Sequence, residues 1–193
     1  MARSYTLKKR AEQQAETRER IVEAAVDLHS TLGPARTTLS MVAEKAGVQR
    51  HTLYAHFPDE RALAMACSGH VQERDPPPDA AAWRGIKDTS VRLAAGLTAV
   101  YGWYARNAQL LSGVLRDAEY YALAREIAAL RFGPYFKAYE EVLGVKLNAK
   151  QRALLHLALS FHTWRTLVQE AGLKPAAAVE AMVEVVEGVQ AKV

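Results

Sequence analysis

Histidine, arginine and tyrosine side chains, which can bind metal ions, transfer protons or contact phosphate, crowd one short stretch of this sequence. The stretch reads "GVQRHTLYAHF" and covers residues 47–57. Three kinds of chemistry use these residue types: a metal site, a catalytic site, or a surface that binds a polyanion. The spacing of the side chains, and the elements that carry them, distinguish these possibilities.

The spacing of the histidines argues against a metal site and against catalysis. His51 and His56 lie five residues apart, which on a helix separates them by about 140°, so they cannot converge on one ion. His156 and His162 lie six apart and also diverge. The motifs HExxH, GxSxG and GxxxxGK[ST] do not occur. We therefore predict no catalytic residue, no metal and no cofactor, and a catalytic all-α protein that uses His156 and His162 stays the alternative.

The hydrophobic periodicity is helical almost throughout, and sustained strand alternation is absent. The sequence therefore predicts an all-α protein of about nine helices. They are expected at residues 15–32, 39–46, 49–57, 59–73, 80–107, 109–115, 119–143, 150–171 and 175–190. The proline triplet at residues 76–78 predicts a domain boundary. We expect a basic arm over residues 1–14, a helix-turn-helix domain over 15–75 and a C-terminal helical domain over 76–193.

Composition limits the class of protein. Half of the 193 residues are hydrophobic, which is enough to bury a core. The first twenty residues hold six basic against three acidic side chains, hence the predicted basic arm. No apolar run approaches the roughly 18 residues of a membrane span, and the charged start does not fit a signal peptide. We expect a cytoplasmic protein without a membrane partner, in which the single cysteine, Cys67, is a packing residue.

The two short helices at residues 39–46 and 49–57 are predicted to form a helix-turn-helix unit. The Thr38 hydroxyl can cap the N-terminus of the first of these helices. Gly47 follows that helix at a position where a left-handed backbone conformation favours glycine. Leu53 and Phe57 lie on one face of the second helix and are expected to anchor it in the core.

The remaining side chains of the second helix then share one direction. Its first turn enters the major groove, where glutamine can bind adenine, arginine can bind guanine and threonine can contact a base edge. A phenol, an imidazole and the hydroxyl at the N-terminus of the first helix can bind phosphate oxygens. The predicted base-facing residues are Gln49, Arg50, His51 and Thr52, and the predicted phosphate-binding residues are Thr38, Tyr54 and His56.

The string "TTLSMVAEKAGVQRHTLYAHFPDERALA" resembles the DNA-binding domain of the TetR family of transcriptional regulators. The resemblance covers residues 15–71 and implies the same base and phosphate contacts. Two positions depart from the family pattern. His51 stands where the family often has a small residue, which suggests a distinct operator. Glu60 stands where a lysine often touches phosphate, so that contact is not carried over, although Arg61 or Arg36 can substitute.

The resemblance also implies a C-terminal domain that dimerises and binds a small-molecule effector. Helices 150–171 and 175–190 are apolar over more than one face, which favours a homodimer interface, although both faces could also pack within one monomer. A dimer addresses palindromic double-stranded DNA. We expect a repressor that its effector releases from DNA. The alternatives are a ligand-dependent activator and a helical protein-interaction module.

The chemical identity of the effector does not follow from the sequence. Aromatic and polar side chains of the C-terminal domain could line an effector pocket, although each is also a plausible core residue. The candidates are Trp103, Tyr104, Tyr120, Phe161, His162 and Trp164.

Overall fold

The computed structural model describes residues 2–188, which form nine α-helices and no strand. The helices are α1 (Ala2–Thr31), α2 (Leu39–Lys45), α3 (Arg50–His56), α4 (Glu60–Arg74), α5 (Thr89–Ala118), α6 (Ala122–Leu143), α7 (Ala149–Leu159), α8 (Phe161–Trp164) and α9 (Pro175–Glu187). Short 3-10 turns cover Pro34–Arg36 and Ala80–Trp83, and a π-helical turn covers Arg165–Glu170. The predicted all-α class is confirmed. The predicted last helix ends at Gln190, which lies outside the described residues.

The chain divides into two compact units. The first contains the residues up to Pro76 together with Ser112–Ala129, and the second contains Pro77–Leu111 and the residues from Leu130 onward. The predicted boundary near the proline triplet coincides with the end of the first continuous stretch. Ser112–Ala129, which the sequence placed in the C-terminal domain, instead packs within the first unit. Helix α5 therefore contributes residues to both units.

The first unit is built around a core to which each of its first four helices contributes. The buried side chains include Ile21 and Ala25 of α1, Val42 and Ala43 of α2, Leu53 of α3, Phe57, and Leu63 and Cys67 of α4. Burial of Cys67 agrees with its predicted packing role. Since α2 and α3 have only seven residues each, this shared core, rather than intrinsic helix stability, holds them in place.

The N-terminal arm is helical where the sequence predicted a separate segment before the first helix. Helix α1 begins at Ala2 rather than near Ala15. Residues 8–20 are almost entirely exposed, and the buried apolar residues of α1 begin at Ile21. The arm lacks the core-facing apolar stripe from which the helix was predicted, so periodicity could not detect it.

The C-terminal helices differ from the prediction because buried tyrosines interrupt one of them. The predicted helix 150–171 breaks at Ser160, whose extended backbone has φ −68° and ψ 133°. The Tyr101 hydroxyl donates to the Ala158 carbonyl at 2.9 Å, and the Tyr104 hydroxyl donates to the Leu159 carbonyl at 2.5 Å. Both carbonyls stand at the end of α7, where a helix has no internal donor. The two tyrosines of α5 therefore supply the hydrogen-bond donors that these two carbonyls lack within α7.

Removing either hydroxyl should destabilise the second unit. Tyr101→Phe and Tyr104→Phe each leave a buried carbonyl without its donor, which should lower the free energy of unfolding by about 1–3 kcal/mol. Tyr54→Phe, at an exposed tyrosine of α3, is the control and should change it by less than about 0.5 kcal/mol. Urea denaturation measures all three. Equal stabilities would contradict the role assigned to the buried hydroxyls.

His29 is a largely buried base in the first unit. Its Nδ1 lies 3.4 Å from the Cys67 Sγ. Burial lowers the pKa of His29 to about 4, and the nearby Asp117 carboxylate opposes this shift without cancelling it. The folded protein therefore keeps this imidazole neutral at pH values where the unfolded chain binds a proton.

The first unit should lose stability as the pH falls from about 6.5 to about 4. In that window the unfolded chain takes up a proton at His29 that the folded chain does not, so the free energy of unfolding decreases with decreasing pH, by up to about 3 kcal/mol. Denaturation at a series of pH values checks the trend. A His29→Leu variant should flatten it, whereas His51→Asn, at an exposed histidine, should leave it unchanged.

Candidate nucleic-acid interface

The α2–α3 unit has the backbone geometry of a tight helix-turn-helix. Thr38 caps α2, its hydroxyl oxygen accepting from the Met41 amide at 3.2 Å. Gly47 follows with φ +65°, a left-handed conformation that glycine adopts without strain. The amide of Val48 then donates to the Ala43 carbonyl at 2.9 Å. These contacts turn the chain within four residues and direct it into α3.

Two buried side chains fix the rotation of α3 about its axis. Leu53 and Phe57, four residues apart, are 1% and 2% exposed. His51, two residues before Leu53, lies on the opposite face and is exposed, and Tyr54 is exposed as well. Arg50, three residues before Leu53, is on the same face as Leu53 and is exposed at the N-terminal end of the helix. We call α3 the recognition helix.

The predicted contact residues all lie in α3 or at the caps of α2 and α3. Gln49 occupies the N-cap position of the recognition helix and is exposed, whereas Thr52 and His56 are half-buried. Thr38 is exposed at the start of α2. Because its oxygen accepts the capping hydrogen bond, its own hydroxyl proton is available to an acceptor such as a phosphate. The chemical roles predicted for these residues stay predictions.

Glu60, the position that departs from the family pattern, makes a contact inside the first unit. The Glu60 carboxylate accepts a hydrogen bond from the Tyr121 hydroxyl at 3.0 Å. The pKa of Tyr121 is raised, chiefly by burial and further by this hydrogen bond. The neighbouring Arg61 binds Glu126 at 2.6 Å. Of the two arginines expected to substitute for a phosphate contact here, Arg61 is thus engaged by a carboxylate, whereas Arg36 is exposed on the turn before α2.

One buried polar group that the sequence did not single out lies behind this surface. Asp117 has no exposed surface, and its Oδ2 accepts from the Ala35 amide at 2.8 Å. Its Oδ1 accepts from the Tyr120 hydroxyl and from Arg116 Nε, each at 2.8 Å. Burial alone raises the pKa of Asp117, but these three hydrogen bonds outweigh it and hold the pKa below its ordinary value. No local pattern distinguishes this carboxylate from an exposed one.

Four of the six predicted effector-binding residues form an aromatic cluster in the second unit. Tyr104 lies 5.7 Å from Trp103, 5.4 Å from Phe161 and 5.9 Å from Trp164, measured between ring centroids. All four side chains are buried. The Trp164 indole N–H is buried without a hydrogen-bond partner, which is costly for a polar group.

The other two predicted effector residues lie elsewhere. Tyr120 is exposed, and its hydroxyl binds Asp117 in the first unit. His162 is exposed on α8, with its ring 5.8 Å from that of its neighbour Phe161. These two side chains therefore do not join the aromatic cluster.

The histidines do not form a metal site within the described residues. His156 Nδ1 lies 2.6 Å from Glu140 Oε1, a pairing that the sequence did not predict because Glu140 comes from α6. The His156 side chain is 79% exposed, which is the setting of a surface ion pair. No group of three or more His, Cys, Asp or Glu side chains between residues 2 and 188 could hold an ion. No helix of that part is long and apolar enough to cross a membrane.

Comparisons with solved structures agree with the fold. FadR from Bacillus halodurans superposes with a TM-score of 0.64 at 15% identity, covering 90% of this chain and 96% of that chain. FadR from Bacillus subtilis in complex with stearoyl-CoA gives 0.63 at 16%, covering 89% and 99%. The multidrug binding protein EbrR complexed with imidazole gives 0.58 at 20%, covering 88% and 89%.

Sequence comparisons match the helix-turn-helix region. The HTH-type transcriptional regulator TtgR of Pseudomonas putida is 42% identical over 62 residues, 32% of this chain and 30% of that protein. SrpR of the same species is 36% identical over 75 residues, covering 37% and 35%. The matches thus span about a third of each relative. A family model described as bacterial regulatory proteins, tetR family, matches residues 21–67. Residues 21–67 are thus similar to the DNA-binding domain of TetR-family regulators.

Proposed function

We propose that the protein is a cytoplasmic, sequence-specific DNA-binding regulator that represses transcription from a palindromic operator. The observation that carries the proposal is the exposed N-terminal end of the recognition helix, where Gln49, Arg50 and His51 stand, since this is the end that enters the major groove. Burial of Leu53 and Phe57 holds the helix in place. The similarity of residues 21–67 to a DNA-binding domain supports the same assignment.

Selection of duplexes from a random DNA pool by the purified protein, at physiological salt, tests this function. We expect enrichment of a palindrome whose half-sites lie about one helical turn apart, 34–36 Å. The size of the bound species should correspond to a dimer. If only salt-sensitive, unselective binding is found, the proposed function is wrong and the exposed helix face is better assigned to a protein partner.

We assign effector binding to the aromatic cluster of the second unit. Buried rings of Trp103, Tyr104, Phe161 and Trp164 favour an apolar or aromatic compound, and the unpartnered Trp164 N–H favours a hydrogen-bond acceptor on it. Two proteins of similar fold are described with small molecules, stearoyl-CoA and imidazole. An effector that favours a conformation with wrongly spaced recognition helices would release DNA, with a coupling of about 1–3 kcal/mol.

We also assign homodimerisation to α7 and α9. These helices pack on one another within the second unit. Each also presents an apolar side chain to solvent, Leu157 on α7 and Val185 on α9. Ala178, Val179, Met182 and Val186 bury the other face of α9. Helices that are apolar on an outward face as well as an inward one are typical of a subunit interface.

Substitutions on the recognition helix should separate base contacts from phosphate contacts. Arg50→Ala should cost about 1–3 kcal/mol of binding free energy and relax the preference at one base position. Tyr54→Phe removes only a hydroxyl, so it should weaken binding to all sites more evenly and leave the log–log salt slope nearly unchanged, because a neutral group releases no counterion. Titrations of the selected duplex and its single-base variants, at several salt concentrations, measure both effects.

The result for Arg50→Ala tests the orientation that we assign to the recognition helix on DNA. Should Arg50→Ala leave the base preference unchanged, this side chain faces the backbone and the assigned orientation is wrong. His162→Ala, at an exposed histidine of the second unit, is the control and should bind the duplex as the wild type does.

A charge on the proposed dimer face should separate the subunits. Leu157→Glu places a carboxylate where apolar surface would be buried, so the protein should become monomeric and lose affinity for the palindrome. Leu130→Glu on α6 is the matched control, since both leucines are 50% exposed. Sedimentation equilibrium gives the mass of each variant. A dimeric Leu157→Glu protein would exclude α7 from the interface.

A further inference from the structure

The buried carboxylate of Asp117 stands where general electrostatics disfavours it. It lies in the last turn of α5, where the partial negative charge of the helix end repels an anion. It is also the only carboxylate that is buried among the side chains described. Removing an ion from water costs several kcal/mol unless donors compensate. The groups that donate hydrogen bonds to Asp117 therefore indicate the role of this buried carboxylate.

Those donors tie the end of α5 to the turn that follows α1. Asp117 Oδ2 accepts from the Ala35 amide at 2.8 Å. Arg116, which binds Asp117 through Nε, also donates from Nη2 to the Leu32 carbonyl at 3.0 Å. Two consecutive side chains thus hold the turn at both of its ends. These residues all belong to the first unit.

Glycines permit this close approach. Gly33 has φ +92°, and a Cβ there would collide with Arg116 Nη2 and Asp117 Oδ2. On the facing side, a Cβ at Gly113 of α5 would lie 3.0 Å from the His29 carbonyl oxygen and 3.5 Å from the Gly33 Cα. The backbone of α5 therefore lies directly against the end of α1 and the turn, so the hydrogen bonds that Asp117 accepts leave the turn little freedom of position.

The turn leads directly into the DNA-facing residues. Ala35, which Asp117 holds, precedes the α2 cap Thr38 by three residues. Between them the Thr37 hydroxyl donates back to the Gly33 carbonyl at 2.8 Å, which closes the turn. A shift of the turn would therefore displace Thr38.

We propose that Asp117 is a positioning residue for DNA binding, which fixes the Gly33–Ala35 turn and through it the phosphate contact of Thr38. The inference rests on the proposed DNA-binding function. Asp117 does not touch DNA in this arrangement, since its side chain is fully buried. Its effect on affinity is exerted through the hydrogen bond to Ala35.

Asp117→Asn, compared with Glu119→Gln, tests the role. Both variants remove one negative charge from the Ser112–Ala129 segment, which by charge alone favours binding to the DNA polyanion. An asparagine has one acceptor oxygen, so it cannot accept from both Ala35 and the Arg116–Tyr120 side. We expect Asp117→Asn to weaken binding of the selected duplex about tenfold, whereas Glu119→Gln, at an exposed carboxylate of the same segment, should change affinity less than twofold.

A double-mutant cycle separates positioning from loss of stability. Thr38→Val removes the hydroxyl, and it should cost much less affinity in the Asp117→Asn protein than in the wild type. Circular dichroism must show each variant folded at the assay temperature. The inference is overturned if folded Asp117→Asn binds like Glu119→Gln, or if its defect is additive with that of Thr38→Val.

A second variant covers the case in which Asp117→Asn does not fold. Tyr120→Phe deletes one donor to the carboxylate at an exposed tyrosine and changes no charge. It should weaken binding about threefold, and wild-type affinity would overturn the inference. If the wild-type protein itself selects no duplex, the proposed function fails, and this inference fails with it. If the wild type selects one, the variants decide this inference alone.

Discussion

The burial of Leu53 and Phe57 is the constraint on which the candidate interface depends. A seven-residue helix is not stable by itself in water, so α3 takes its position from the core that these two side chains enter. Once that face is buried, helical geometry requires His51, two residues before Leu53, to face solvent, while Arg50 is exposed at the N-terminal end of the helix. The left-handed conformation of Gly47 sets the direction in which the chain enters the helix. The position of the predicted base-facing residues therefore depends on the apolar packing of α3.

Apolar packing alone does not fix a surface at the accuracy that base and phosphate contacts need. The hydrophobic effect is non-directional, so a small slide of one helix over another costs little as long as area stays buried. Hydrogen bonds, by contrast, restrict both distance and angle. The first unit combines the two: the core orients α3, and the Asp117 carboxylate holds the turn before α2 through the Ala35 amide. The second anchor is needed because the turn, unlike α3, contributes little apolar surface.

How well the sequence predicted each element depended on how local its determinants are. The bounds of α2, α3 and α4 follow within one residue from Thr38, Gly47 and the Pro58–Asp59 pair, since caps and turns act over a few residues. The break at Ser160 and the burial of Asp117 depend on partners 55–82 residues away in the chain. Periodicity carries no information on such pairs. Of the aromatic residues predicted to bind the effector, Trp103 and Trp164 both contact Tyr104, whereas the Tyr120 hydroxyl binds Asp117 in the first unit.

The acidic residue at the start of α4 shows how the interface and its support are connected. Glu60 lies in the first turn of α4, where the helix end favours a negative charge, and it accepts from Tyr121. Arg61 binds Glu126, so both residues at the start of α4 contact the Ser112–Ala129 segment. The cation available to a phosphate is then Arg36, one residue after the Ala35 amide that Asp117 holds. Two of the expected phosphate contacts, Arg36 and Thr38, thus depend on one anchored turn, so its rigidity matters more here than in a domain that contacts phosphate from α4.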